Sequence, residues 1–214
     1  MSDLDDTLVV RPPLFRAWAE QFLASVGAPA DLLEWVIEQD RGGHRPRKEF
    51  LGALAARTGY DVPVDTFLDS YNEAIAGSYR LTGDTRAALA AARAAGWSLA
   101  VVTNGPTDVQ SRKVEASGLA DLVDALCISE EVGARKPEPL IFETAARRSG
   151  ATLQGAWMVG DNLDADIAGA QRVGARSVWV KRDYDWLDYT SGTEPDLVAE
   201  SFPDAVRQVL EATR

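Results

Sequence analysis

Apolar and polar residues follow one another in two rhythms along this chain. Over residues 12–80 the apolar positions recur at helical spacing in "PLFRAWAEQFLASVG", "ADLLEWVIEQD", "RKEFLGALAARTG" and "DTFLDSYNEAIAGSY", with Gly27, Gly42, Gly43 and Gly59 between them. That pattern predicts an all-helical block of about four helices. From residue 81 helical patterns alternate with short apolar runs. "GDTRAALAAARAAG", "TDVQSRKVEASG", "PEPLIFETAARRSG" and "NLDADIAGAQRVG" read as helices, and "WSLAVVT", "DALCIS", "GAWMVG" and "RSVWVK" as the strands between and after them. A final strand, "DLVAE", precedes the helix "DAVRQVLEATR". Apolar runs joined by short helical crossovers predict an α/β fold whose parallel sheet is covered on both faces. The stretch "RDYDWLDYTSGTEP" (182–195) reads as an irregular surface loop.

In open parallel sheets the functional site lies beyond the carboxyl ends of the strands. Thr103, Asn104 and Gly105 follow the first apolar run, Lys136 comes a turn or so past the second, and Asp161 follows the third, with Asp166 five residues on. The N-terminus adds a D-x-D-x-T sequence at Asp3, Asp5 and Thr7. Asp3, Asp161 and Asp166 make sense together only around a cation, and oxygen-only ligands point to a hard ion, Mg²⁺ first. Thr103 and the N–H groups of Asn104 and Gly105 suit phosphoryl oxygens, and Lys136 offsets the crowded negative charge. Asp3 is then the candidate nucleophile toward phosphorus, and Asp5 the acid that protonates the leaving oxygen and the base that deprotonates the hydrolytic water. The backbone carbonyl of Asp5 is read as facing the metal. Each residue also has a plainer reading: Asp5 and Asp6 as a turn, Lys136 as a solvated lysine, Asp164 as a carboxylate complementing a helix dipole. Their joint occurrence at successive strand ends favours the site.

The stretches "DLDDTL", "VVTNG", "RKPEP" and "VGDNLDAD" resemble the four motifs of the haloacid dehalogenase superfamily of phosphatases. The resemblance implies a Rossmann-like catalytic core over residues 1–11 and 81–214, with residues 12–80 inserted as a helical C1-type cap. It also implies a Mg²⁺-dependent phosphomonoester hydrolase acting on a small phosphorylated metabolite. Asp3 is its nucleophile, Asp5 its acid/base, Thr103, Asn104, Gly105 and Lys136 its phosphoryl contacts, and Asp3, Asp5, Asp161 and Asp166 its metal site. Relatives that break carbon–halogen bonds lack the second aspartate, so Asp5 speaks for a phosphatase. A phosphomutase, or a non-catalytic phosphate-binding descendant, is the alternative. A receiver domain has similar residues but places its carboxylates ahead of the threonine and lysine.

Relatives carry a central strand ahead of the first aspartate, and here only Met1 and Ser2 precede Asp3. The expectation is a gap in the sheet, with the strand encoded upstream or, as the alternative, truly missing from a chain of weak activity and poor stability. Composition narrows the rest. A net charge of -11 argues against nucleic-acid partners, and no apolar run nears the ~18 residues of a membrane span, so a cytoplasmic monomer or homodimer is expected. Cys127 reads as a buried apolar residue, and Trp18, Trp35, Trp97, Trp157 and Trp179 as core; Trp186 falls in the irregular loop. His44 reads as a solvated loop residue; the alternative is that, with Arg45 and Arg47, it contacts the leaving group of an anionic substrate.

Overall fold

The computed structural model describes residues 1–182, 190 and 192–213, so Trp186 and most of the loop at 182–195 lie outside the described residues. The chain divides into two compact units, Val10–Tyr79 and Met1–Val9 with Arg80–Arg214.

The first unit holds α1 (Arg11–Ser25), α2 (Leu32–Asp40), α3 (Arg47–Thr58) and α4 (Val64–Ser78). Its interior is aromatic: Trp18 stacks on Phe22 at 5.5 Å and meets Tyr71 edge-on at 4.7 Å, while Phe22 stacks on Phe67 at 4.9 Å. Beside these rings lies a buried charge cluster. Asp40, 1% exposed, accepts from Arg11 Nη1 at 2.6 Å and Nη2 at 3.0 Å, and also from Arg47. Burial opposes ionisation of Asp40, but the two guanidinium groups outweigh it and hold the carboxyl below the usual range. Arg47 also donates to the Tyr71 hydroxyl and to the Arg45 carbonyl at 2.9 Å. The expected leaving-group contact by Arg47 therefore needs revision: its donors tie the 41–46 loop to the interior of the helical unit. Arg45 is engaged with Gln39, and His44 is exposed.

The second unit continues with α5 (Gly83–Ala94), β1 (Ala100–Thr103), α6 (Thr107–Ser117), β2 (Ala125–Ile128), a short α7 (Ser129–Val132) and α8 (Pro139–Arg148). β3 (Trp157–Gly160) leads into a π-helical turn (Leu163–Ile167) and α9 (Ala168–Arg172), followed by β4 (Arg176–Val180), β5 (Leu197–Ala199) and α10 (Phe202–Ala212). Strand pairing is parallel throughout: β1 with β2, and β3 with β4 and β4 with β5. Ala100, Val102 and Met158 pack with Ile141 and Phe142 of α8, whereas Val101 and Val159 line a space shared with Leu89, Phe202 and Val206 of α5 and α10. Both faces are thus covered, which is why these strands read as unbroken apolar runs. Thr82 caps α5 by accepting from Thr85 N, and Ser201 caps α10 by accepting from Asp204 N, each worth about 1 kcal/mol.

The expected gap between β1 and β3 is largely closed, because three residues do the work of a strand. Ser2 bridges Val101 on one side and Val159 on the other. Ser2 N donates to Ala100 O at 2.8 Å and Val102 N to Ser2 O at 2.9 Å; Asp3 N donates to Val159 O at 2.9 Å and Val159 N to Met1 O at 3.0 Å. The Met1 ammonium donates to Trp157 O at 2.7 Å, and burial pushes its pKa down to about 6. The strands are shorter than the sequence predicts: Trp97–Leu99 precede β1. A cavity of about 280 Å³ opens there, lined by Met1, Trp97, Ser98, Gly155 and Trp157.

Cys127 is fully buried, as read from the sequence. Of the tryptophans read as core, Trp157 is buried, while Trp18, Trp35, Trp97 and Trp179 are half-buried. No helix of the described residues is long and apolar enough to cross a membrane. Removing the carboxylate at the centre of the helical unit, Asp40→Ala, is expected to destabilise it by about 3–5 kcal/mol, since two guanidinium groups then face each other without their shared anion. Urea or thermal melts measure this, with Arg45→Ala as the near-neutral comparison.

Candidate active site

Residues Asp3–Val9 form a compact turn. Leu8 N and Val9 N both donate to Leu4 O at 3.1 Å, and Asp6 N donates to Val9 O at 2.8 Å. Asp6 sits at φ 56°, a left-handed conformation that Asp adopts more readily than most side chains, and its carbonyl accepts from Arg182 Nε at 2.9 Å. Burial of Leu4, Leu8 and Val9 anchors the turn and leaves Asp3 at the end of the sheet between β1 and β3.

Around Asp3 three of the predicted residues converge, Lys136, Asp161 and Asp166. Carboxylate oxygens of Asp3, Asp161 and Asp166 all lie within 4.8 Å of one another, and all three residues are buried. Lys136 Nζ stands 2.6 Å from Asp3 Oδ1 and 2.6 Å from Asp166 Oδ1. Thr7 Oγ1 donates to Asp161 Oδ1 at 3.2 Å, and Trp179 Nε1 donates to the Asp161 carbonyl at 2.8 Å. Asp166 is reached through the π-helical turn: Ile167 N bonds back five residues to Asn162 O, and Asn162 Oδ1 caps the turn by accepting from Asp164 N and Ala165 N. The sequence predicts one uninterrupted helix here, and the extra residue of the wider turn accompanies Asp166 folding back so that its Oδ2 accepts from Asn162 N at 3.1 Å. Only glycine fits at 160, because a Cβ there would collide with the Asp166 carboxylate. Gly169 has a matching constraint: its Cβ would meet Phe142 at 2.6 Å and the Pro137 Cα at 3.0 Å, so its absence lets α9 approach the segment that carries Lys136.

Three buried carboxylates against one lysine leave an excess of negative charge. Burial raises the Asp3 pKa to about 7, with Asp166 and Asp5 adding to the rise and Lys136 opposing it. Asp161 is pushed well above the ordinary range, first by burial and then by Asp3 and Asp166. Burial works against the Lys136 ammonium, yet the Asp166 and Asp3 charges prevail and hold its pKa above the usual lysine value. A cluster with only hard oxygen donors, short of positive charge and closed to bulk water, fits a small divalent cation.

The phosphate-binding candidates have other partners. Asn104 Oδ1 accepts from Lys136 N at 2.9 Å and its Nδ2 donates to Lys136 O at 3.1 Å, so the side chain fixes the lysine's backbone. Gly105 N donates to Ser129 Oγ at 3.0 Å. Thr103 is buried, and its hydroxyl accepts from Gln110 Nε2. The Asp5 carboxylate is not part of the three-carboxylate cluster: Lys113 Nζ donates to its two oxygens at 2.8 and 2.9 Å, and Gln110 Nε2 donates to Oδ2 at 3.1 Å. Asp164, read as a dipole partner, accepts from Thr190 N at 3.0 Å. Sequence reasoning missed Gln110, Lys113, Ser129 and Trp179. A signal for the first two existed, since Gln110, Lys113, Val114 and Ser117 fall on one stripe of α6 and all are buried.

Comparison with known proteins identifies the family. The family model for haloacid dehalogenase-like hydrolase matches residues 1–174. The ribulose-1,5-bisphosphate 5-phosphatase of Halopiger xanaduensis is 33% identical over 194 residues, covering 82% of this chain and 81% of that protein. The glyceraldehyde 3-phosphate phosphatase of Methanopyrus kandleri is 31% identical over 225 residues, covering 99% and 95%. Among solved structures, an HAD phosphatase from Thermococcus onnurineus aligns with a TM-score of 0.64 and 27% identity over 98% of this chain and 95% of that one.

The raised carboxyl pKa values have a testable consequence for cation binding. The folded Asp3 keeps its proton up to about pH 7, whereas its ordinary value is 3.8. Its contribution to stability is therefore full below about pH 4 and lost as pH rises through 7. A bound cation needs the ionised form, so its stabilising effect grows over that same rise. The Tm increase produced by Mg²⁺ is expected to be larger at pH 8 than at pH 6, and to be abolished by Gly160→Ala, which displaces Asp166; differential scanning fluorimetry reads both.

Proposed function

The chain belongs to the haloacid dehalogenase-like hydrolases, and from that membership we propose a phosphatase that hydrolyses a small phosphorylated metabolite through an aspartyl-phosphate on Asp3. The observation that carries the reading is the position of Asp3, buried at the mouth of the sheet with Lys136 Nζ 2.6 Å from its Oδ1. A carboxylate so placed can attack phosphorus while the lysine balances charge on the phosphoryl oxygens. Asp5 lies apart from the three-carboxylate cluster and is the group that gives a proton to the leaving oxygen. In the second step it takes a proton from water, which attacks the aspartyl-phosphate, releases inorganic phosphate and regenerates Asp3. Thr103 contributes a hydroxyl at the end of β1, and Asn104 and Gly105 form the turn beyond it.

Mg²⁺ is the cation that suits Asp3, Asp161, Asp166 and the Asp5 carbonyl, and its chemistry here is to neutralise the carboxylates and phosphoryl oxygens that must share one pocket. The residues 1–11 and 81–214 are the catalytic core in this reading, and 12–80 the cap that sets substrate choice. Both curated relatives are named for phosphorylated sugars, which supports a substrate of that kind. A net charge of -11 supports a small-molecule partner rather than nucleic acid or an anionic membrane surface, in a cytoplasmic monomer or homodimer.

Phosphate release from glyceraldehyde 3-phosphate, ribulose 1,5-bisphosphate, phosphoglycolate, nucleoside monophosphates and an aryl phosphate tests the proposal. Mg²⁺-dependent release is expected from at least one, and Asp3→Asn is expected to lower it by about 10³-fold or more while leaving Tm largely intact. Isomerisation of a sugar phosphate without net phosphate release would select the phosphomutase instead, and binding without turnover the non-catalytic descendant.

A further inference from the structure

Gln110 and Lys113 lie three residues apart on α6, both buried, and the phosphatase reading above gives neither a role. Their contacts converge on the two groups that must be aimed in that reading. Gln110 Nε2 reaches Asp5 Oδ2 and Thr103 Oγ1, so a single amide joins the end of the N-terminal turn to the end of β1. Lys113 Nζ lies against both Asp5 oxygens. The arrangement depends on Gly105, at φ 153°, where an added Cβ would stand 3.0 Å from Gln110 Cγ.

Hydrogen-bond polarity makes the arrangement directional. Both Asp5 oxygens accept, from Lys113 Nζ and Gln110 Nε2, so the nitrogen end of the Gln110 amide faces Asp5, and the same nitrogen donates to Thr103. A threonine hydroxyl that accepts from an amide has its own hydrogen left to give, and a phosphoryl oxygen is an acceptor of that kind. We infer that Gln110 and Lys113 are positioning residues for the hydrolysis: Lys113 and Gln110 fix the Asp5 carboxylate at the leaving oxygen, and Gln110 turns the Thr103 hydroxyl into a phosphoryl donor. The inference rests on the phosphatase reading and extends it to two residues outside the strand-end motifs.

The distinguishing readout is dependence on the leaving group. A nitrophenolate departs without a proton, whereas the alkoxide of a sugar phosphate needs one, and kcat/KM covers only the steps up to departure of that group. Lys113→Met is therefore expected to lower kcat/KM for an alkyl phosphate by about 10–100-fold, within the range of general acid catalysis, and for nitrophenyl phosphate by less than about 3-fold. Lys113→Arg should restore most of the alkyl activity. Gln110→Met is expected to show the same leaving-group bias and, in addition, a raised KM for both substrates. The Mg²⁺-induced Tm shift should persist in both variants, because neither substitution removes a carboxylate of the Asp3, Asp161 and Asp166 cluster.

Equal losses for the two substrates, no loss at all, or failure of Lys113→Arg to rescue would overturn the inference while the wild-type chain still releases phosphate. Should Lys113→Met not fold, the Gln110→Met comparison decides alone. A wild-type chain inactive toward every phosphate ester would instead remove the phosphatase reading, and the positioning roles with it.

Discussion

Everything at the candidate site depends on the backbone of Ser2 being held from two sides at once. Neighbouring strands of a sheet lie about 4.8 Å apart, so β1 and β3 can belong to one sheet only if a chain runs between them and satisfies both edges. Ser2 meets that demand with bridges to Val101 and Val159. A single residue slip would turn Asp3 toward a helix-covered face instead of the strand ends, because side chains alternate along an extended chain. The bond from Asp3 N to Val159 O fixes the register, and through it the distance from the carboxylate to Lys136. The geometry of the carboxylate cluster and sheet integrity therefore share the same few peptide groups.

The burial that makes this placement firm also creates an electrostatic problem. Asp3, Asp161 and Asp166 lose hydration together, and the one lysine among them cannot balance three carboxylates. Glycine at 160 and the π-helical turn bring Asp166 closer still, which worsens the repulsion. Stable proteins rarely accumulate such a cluster for packing alone, since apolar residues of similar volume would cost less. In the proposed phosphatase the cluster is intelligible as a preorganised site that a cation would complete and whose lysine would balance phosphoryl charge.

Much of this was legible in the sequence because a parallel sheet turns linear order into spatial convergence. Thr103, Lys136 and Asp161 were identified by standing at or just after the ends of apolar runs, and the α/β class by the alternation of those runs with helices. The N-terminal stub defied that logic: three residues are too few to show a period, and their pairing is written in the edges of β1 and β3 rather than in Met1–Asp3. The fate of Arg47 was hidden for a different reason. A basic loop suggests an anion from outside, but Asp40 supplies one from within the same helical unit, and their seven-residue separation across a left-handed Arg41 gives no helical-spacing cue. Gln110 and Lys113 were hidden by type, since long polar residues on a helix are ordinarily assigned to solvent.

The two aspartates of the N-terminal turn show how one short sequence creates two environments, which the proposed mechanism assigns to two chemistries. They are separated by a single residue, yet Leu4 between them is fully buried and drives the chain to turn. Asp3 is left inside the anionic cluster, where it shares Lys136 with Asp166. Asp5 is about a quarter exposed and faces Lys113 and Gln110 on α6. A nucleophile benefits from a rigid, water-poor setting, because any spread in its position is lost rate. A proton carrier needs a path to the leaving group and then to water, and so must sit at the boundary. In the proposed mechanism the turn would separate these demands over two residues, and α6, anchored by its buried Val114 and Ser117, supplies the counter-charge that holds the second aspartate at that boundary.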